Sequence, residues 1–465
     1  MVVARSRAGT LVSELAAALP DDAVVDDLDR LASYRSDQAV GVDAGQPAVA
    51  VFPSTTAQVS AVLRVAQARA IPVVPRGAGS GLSGGANAID GCIVLCLERM
   101  RRIVEVNAAD GYAVVEPGVV NDELREHVRG HGLWYAPDPA SKDWCTIGGN
   151  VNTNAGGLCC VKYGVTRDAV LGLEVVLADG RVTRIGRRTV KGVAGYDLTS
   201  LIVGSEGTLG VVTQARLRLR PPPAPPTTVV ATFADVPSAG RAVEAIMAVA
   251  TPSLLELMDR TTLRAVESFS PMGLDTAAAA LLIAQSDLPG RAAQDEAALI
   301  LDACLRHGAI EGYRSEDAEQ SDLLLGARRM AIPALERMGA WLLDDVSVPR
   351  SALAEAIRAI EEVSAARELV IGTFGHAGDG NLHPTIIYPH GDGDAQQRAF
   401  AAFDDILAIA LRLGGTVTGE HGVGLLKRRA LHNELDAVAR SMHEAIKSAL
   451  DPRGILNPGK ALPQR

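Results

Sequence analysis

Short apolar runs alternate with helical-period and glycine-rich stretches from residue 48 to about 220. "AVAVFP" (48–53) and "IPVVP" (71–75) read as strands. The 3.6-residue spacing of "TTAQVSAVLRVAQARA" (55–70) between them predicts a helix, giving a strand–helix–strand unit. "CIVLCL", "IVEVN" and "YAVVEPG" continue as strands, followed by the helical "NDELREHVRGHG". Asp179 and Gly180 in "VLGLEVVLADGRVTRI" (170–185) mark the turn of a β-hairpin. "PPPAPP" (221–226) cannot pair in a sheet and reads as a stiff linker. Beyond it "TTVVATFAD", "SLLELM", "AALLIAQ", "GAWLLDDVSV" and "ELVIGTF" predict strands separated by helical stretches. That is an α+β domain, its antiparallel sheet covered on one face. A last long helix is expected over about 433–450, before the irregular "DPRGILNPGK".

At 465 residues the chain has room for two or three domains. Its net charge of -10 argues against a nucleic-acid binder. No run reaches the roughly 18 apolar residues of a spanning helix. The longest, "TAAAALLIA" (276–284), reads as a buried strand. Glu14 interrupts the apolar stretch of the N-terminus, which therefore reads as an amphipathic helix rather than a signal peptide. Six cysteines without paired metal spacings fit a reducing cytoplasm, and the adjacent Cys159 and Cys160 are expected to be buried thiols rather than a strained redox pair.

Three glycine-rich segments carry the first candidate chemistry. "PRGAGSGLSGGANAIDG" (75–91) holds a G-x-G-x-x-G match at Gly79, Gly81 and Gly84, directly after a strand. A Rossmann fingerprint must open a helix, whereas here more glycines and another strand follow. A loop of consecutive N–H groups can still cradle a pyrophosphate. "PDPASKDWCTIGGNVNTNAGGLCCVKYG" (137–164) and "GYDLTSLIVGSEGTLGVVT" (195–213) are the other two; each alone is also readable as a turn-rich connector. "GHAGDGNLH" (375–383) sets two histidines seven positions apart among three glycines. The glycines argue against a helix, and a single flat strand would send the two imidazoles to opposite faces. Only a loop bending back on itself brings His376 and His383 together.

Together these segments resemble the flavoprotein oxidases and dehydrogenases of the vanillyl-alcohol oxidase type, above all the glycolate oxidase flavoprotein subunit and the D-lactate and D-2-hydroxyglutarate dehydrogenases. The resemblance runs from about 45 to 460 and rests on "PRGAGSGLSGGA", "IGGNVNTNAGG", "GYDL", "GSEGTLG", "GHAGDGNLHP", "TGEHGVG" and "NPGK", in family order. It implies a two-subdomain FAD-binding domain over 1–222, a substrate (cap) domain over 223–415 and a segment 416–465 returning to the FAD domain. It also implies that FAD is held by Arg76, Gly77, Ala78, Gly79, Ser80 and Gly81 around the pyrophosphate. Asp138, Ser141, Gly148, Gly149, Asn154, Gly156 and Gly157 would follow the cofactor, with Glu206 and Val211 near its adenosine half and Asn457 near substrate or flavin. Many relatives attach flavin through a histidine in the first loop, and Ser80 cannot form that bond, so the FAD is expected to be non-covalent.

The same resemblance joins "GHAGDGNLH" to "TGEHGVG" (418–424), making His376, His383 and Glu420 ligands of one divalent metal, with Asp379 as a candidate to orient an imidazole. Two imidazoles and a carboxylate suit Zn²⁺ or Mn²⁺. His421 is the expected general base and Arg328 the holder of the substrate carboxylate. The implied reaction is oxidation of a D-2-hydroxy acid to the 2-oxo acid, with a flavoprotein subunit of a larger glycolate oxidase as the alternative. No iron–sulfur cysteine run is present, so electrons must leave to an external acceptor such as a quinone, a cytochrome or an electron-transfer flavoprotein. A homodimer and peripheral contact with a membrane are compatible with this reading. Relatives acting on D-2-hydroxyglutarate carry a lysine where this chain has Leu343 and an asparagine where it has Thr385. Both departures point to monocarboxylic substrates, and a D-2-hydroxyglutarate dehydrogenase is the competing expectation.

Overall fold

The computed structural model describes residues 2–462, which form two compact units. The first comprises residues 1–157, 164–222 and 420–465, and the second 158–163 and 223–419.

Two sheets build the first unit. The smaller contains β1 (Val24–Val25), β2 (Val49–Val51), β3 (Val73–Arg76) and β4 (Ile93–Cys96), in the order β1-β2-β4-β3. β2, β4 and β3 run parallel, and β2 and β4 are buried at every position, which is why they read as unbroken apolar runs. The helix Thr56–Arg69 crosses between β2 and β3; Thr55 caps it by accepting from the amide of Gln58 (3.3 Å). The larger sheet is antiparallel, in the order β5-β6-β9-β7-β8: β5 (Ile103–Asn107), β6 (Tyr112–Val115), β7 (Val170–Val176), β8 (Val182–Gly186) and β9 (Val211–Arg218). The hairpin expected around Asp179 and Gly180 is β7–β8.

The second unit is one antiparallel sheet in the order β13-β10-β12-β11-β16-β17-β14, with β15 also paired to β17. Its strands are β10 (Thr227–Phe233), β11 (Leu254–Asp259), β12 (Ala280–Ser286), β13 (Ala309–Arg314), β14 (Ala340–Leu343), β15 (Val346–Ser347), β16 (Val370–His376) and β17 (Asn381–Tyr388). Helices cover both faces, not one. Consecutive strand residues point to opposite faces, yet Thr227 Oγ1 accepts from Gln294 of the helix Arg291–Arg306 (3.0 Å) while Thr228 Oγ1 donates to Ser321 O of the helix Ala318–Arg329 (3.3 Å).

Other expectations need correcting. The last helix, expected from about 433, runs Ala437–Leu450, because Asp436 caps its start by accepting from the Ala439 amide (2.8 Å), and a separate helix, Arg428–Glu434, precedes it. Cys159 and Cys160, expected to be buried, are only partly so. The segment 137–164 is not all loop: Thr146 caps a short helix, Ile147–Thr153. Chain return to the first unit begins at Glu420 rather than 416. Thr416 bridges to Ser347, and Thr418 Oγ1 and the Gly419 amide donate to the Asp345 carboxylate (2.7 and 3.0 Å), holding 416–419 in the second unit.

Asp259 caps the helix Arg260–Phe269 from a fully buried position, accepting from the Thr262 amide (2.7 Å). Burial pushes its carboxyl up to about 6. An unfolded aspartate titrates near 3.9, so the folded chain binds the extra proton between those values. Its stability is therefore highest below that window and falls as pH rises through 6. Asparagine caps as well as aspartate without the charge. Asp259→Asn should thus stabilise the protein at pH 7.5 by up to about 3 kcal/mol, a gain that shrinks toward zero near pH 4. Denaturant unfolding at the two pH values tests this, and a gain independent of pH would contradict the assignment to Asp259.

Candidate active site

His376 and His383 meet because they lie on strands, not in a loop. β16 and β17 form a tight hairpin in which His376 stands opposite Asn381 and Phe374 opposite His383. Seven positions along the chain become a diagonal neighbourhood on one sheet face, with ring centroids 5.1 Å apart and planes at 83°. The turn, 377–380, closes on Gly380 at φ +73°, where a Cβ would also run into the Val348 carbonyl.

The same face supplies the partners. Glu256 on β11 is the register partner of His376, and its Oε1 lies 2.7 Å from His376 Nδ1. A carboxylate there takes the Nδ1–H hydrogen bond and leaves Nε2 as the lone-pair nitrogen, the arrangement that orients metal-ligating imidazoles. Arg328 Nε donates to the other Glu256 oxygen (2.6 Å), and its guanidinium stacks over Phe374, 4.5 Å from the ring centre. Burial works to raise the Glu256 carboxyl, but its partners His376 and Arg328 hold it below the ordinary glutamate range. Asp379 is exposed on the turn, so Glu256 is the carboxylate on His376. The sequence signal for it was a lone charged residue inside the apolar "SLLELM".

No strand was expected at β17, which carries Pro384 in its middle although proline cannot donate to a ladder. The neighbouring strand accommodates it. Pro384 O accepts from the Asp344 amide (2.8 Å), so its nitrogen edge faces the break between β14 and β15 at Asp344 and Asp345. That break aims the buried Asp345 carboxylate at Asn381 Nδ2 (2.7 Å) and places it 3.9 Å from His383 Nδ1. Leu343 and Thr385 are register partners on the face that carries His383, and both are buried.

The first unit gathers the glycine-rich loops. Gly77 leaves no room for a Cβ against Thr146 Oγ1, so the first loop backs onto the cap of Ile147–Thr153. Asn152 O accepts from the Glu206 amide (2.8 Å) and Asn152 Oδ1 from the Gly207 amide (3.1 Å), tying the second loop to the third. The Glu206 carboxylate takes the amides of Val423 and Gly424, both at 2.8 Å. Burial nevertheless raises its pKa against the opposing effect of those bonds. Ser83 Oγ donates to the carbonyls of His421 (3.0 Å) and Gly422 (2.8 Å). Asn457 Nδ2 clips Gly85 O (3.0 Å) and Glu206 O (2.7 Å). Glu420 lies against Gly156, where any Cβ would collide with its carboxylate, and His421 Nε2 is 3.6 Å from Glu420 Oε1.

Arg76 is buried and donates to Ser36 O (2.9 Å); Ala78, Gly79, Ser80 and Gly81 follow it in the loop beyond β3. Asp138 packs on Gly157, Ser141 starts the turn to Cys145, Gly148 and Gly149 lie in the capped helix, and Asn154 ends it in the left-handed conformation at φ 58°. The Val211 side chain is in the core, so any cofactor contact from it is through the backbone. Backbone crowding without side chains, next to a helix N-terminus, fits a phosphate-bearing cofactor.

Comparison with known proteins identifies the family. Residues 47–186 match the FAD binding domain, and residues 222–461 the FAD linked oxidases, C-terminal domain. The chain is 42% identical to glycolate oxidase subunit GlcD of Bacillus subtilis, across 89% of this chain and 88% of that protein. It is 35% identical to D-lactate dehydrogenase of Archaeoglobus fulgidus, across 92% of this chain and 95% of that protein. A solved structure of p-cresol methylhydroxylase with substrate bound superposes with a TM-score of 0.80 at 20% identity, covering 97% of this chain and 96% of that one; this likeness shows the fold.

Proposed function

The chain belongs to the FAD-linked oxidases, and from that membership we propose that it dehydrogenates a D-2-hydroxy acid with one carboxylate, such as D-lactate or glycolate, to the 2-oxo acid. The observation that carries the reading is the row Arg328–Glu256–His376 beside His383 on one buried sheet face. It sets a carboxylate-binding cation next to two imidazoles. FAD, bound without a covalent link along the three glycine-rich loops, would accept the hydride from the substrate 2-carbon. His376, His383 and Glu420 would hold a divalent metal, zinc or manganese, whose Lewis acidity lowers the pKa of the 2-hydroxyl. His421 takes the hydroxyl proton. Arg328 binds the substrate carboxylate through its terminal nitrogens, because Glu256 engages Nε and fixes the plane of the fork. Glu256 orients the His376 imidazole, and the Asp345 carboxylate lies 3.9 Å from His383 Nδ1.

Anaerobic mixing of the purified yellow protein with D- and L-2-hydroxy acids tests the proposal. Bleaching of the flavin by D-lactate or glycolate is expected, and a flavin that no hydroxy acid bleaches would refute it. Likeness to a glycolate oxidase subunit favours a second reading, in which the chain works as the flavoprotein of a larger complex. Then bleaching persists while steady-state turnover with an artificial acceptor requires the partners. Acid precipitation should release the yellow flavin into the supernatant, since Ser80 offers no imidazole for attachment. Flavin kept in the pellet would show another covalent anchor.

A further inference from the structure

An arginine-lined cleft lies on the outer face of the larger sheet of the first unit, with no part in the reaction above. On that face Arg216 is the register partner of Gly172, and Gly172 of Gly186. The two glycines leave a trough without side chains. Neither position tolerates a Cβ, for the backbones there are already in contact. Arg216 lies along the trough, its Nε buried without a hydrogen-bond partner, while Nη1 reaches Arg187 O at 3.4 Å. Arg184, Arg187 and Arg188 line the same cleft.

The acids nearby offset only part of this charge, at Arg184, and leave Arg187, Arg188 and Arg216 to the cleft. Glu174 is engaged by Arg184 (2.9 Å), Thr56 (2.7 Å) and Thr213 (3.0 Å), and Glu105 accepts from the Tyr112 hydroxyl (2.7 Å). Asp197 caps the helix Leu198–Ile202. Between residues 181 and 191 the chain carries Arg181, Arg184, Arg187, Arg188 and Lys191 and no acidic residue, in a protein whose net charge is -10. Burial and the neighbouring Arg188 lower the Arg216 pKa, so the cluster gains from an anion.

The segment rising from the cleft is apolar as well as basic. Val190, Val193 and Tyr196 are 85%, 100% and 93% exposed, interleaved with Arg187, Arg188 and Lys191. Three large apolar side chains this bare beside a cationic trough suit an interface with an apolar layer beneath an anionic one. We propose that this cleft and loop dock the protein on an anionic membrane surface, a lipid phosphate entering among Arg187, Arg188 and Arg216 while Val190, Val193 and Tyr196 enter the headgroup region.

The full-length flavoprotein should co-sediment with vesicles of phosphatidylglycerol at 0.1 M salt and not with phosphatidylcholine alone. R187E/R188E and V190D/V193D should each cut binding about tenfold or more, with flavin absorbance and turnover unchanged. High salt should weaken binding, because exposed charges are screened. Equal binding to phosphatidylcholine, no binding to phosphatidylglycerol, or binding that neither double variant reduces would overturn the proposal. So would calorimetric binding of inorganic phosphate without vesicle binding, which would assign the cleft to a soluble phosphate compound.

Discussion

The His383→Ala protein is expected to stay yellow but to lose the proposed divalent metal and most of its turnover. FAD retention is expected because the flavin loops are tied together inside the first unit by Asn152, Glu206 and Asn457, remote in their bonding from the β16–β17 hairpin. Removing one imidazole from a three-ligand set lowers metal affinity steeply. His421→Ala separates metal binding from proton transfer. It should keep metal and FAD while slowing flavin reduction by about 10²- to 10⁴-fold, the usual loss for a general base. Glu256→Gln keeps the shape of the side chain but gives up its charge between His376 and Arg328, and metal affinity should fall by about 10- to 100-fold. Metal analysis, flavin absorbance and anaerobic reduction rates on the three variants distinguish the roles. A wild-type protein that is metal-free after exhaustive chelation and fully active would sink the metal assignment.

D-lactate and D-2-hydroxybutyrate are expected to outperform D-2-hydroxyglutarate in kcat/KM. Leu343 and Thr385 face each other across β14 and β17, both buried, on the face that carries His383. A second carboxylate brought there meets a leucine and a short hydroxyl instead of a cation. An unpaired buried charge commonly costs several kcal/mol, and about 1.4 kcal/mol is already tenfold in specificity. L343K/T385N should reverse the preference, raising kcat/KM for 2-hydroxyglutarate by roughly tenfold or more, because the pair then offers a cation and an amide at adjacent register positions. If the wild type prefers 2-hydroxyglutarate, the Leu343 argument fails and another cation must reach the pocket.

Local order in the chain was sufficient for most elements. Apolar runs, cap residues and the Asp179–Gly180 turn marked the strands and helices of the first unit, since each signal lies within a few residues of what it specifies. The unread strand β17 and the joined-up "GAWLLDDVSV" failed for one shared reason. Pro384 is tolerated only because β14 and β15 part at Asp344 and Asp345, and neither segment shows that compensation alone. The long helix expected from about 433 to 450 starts at Ala437, where the Asp436 cap, a local signal, sets its first turn.

The amino-acid sequence by itself determined the family and singled out the glycine-rich loops and the two histidines as candidates, because glycine spacing and motif order are written in consecutive residues. Tertiary structure decided how those groups are held. His376 and His383 share a face through hairpin register, Glu256 reaches His376 from a strand 120 positions earlier, and Arg328 arrives from a helix to close the row. Pairing register is set by the packing of the whole sheet, and a one-residue slip would turn these side chains to the opposite face.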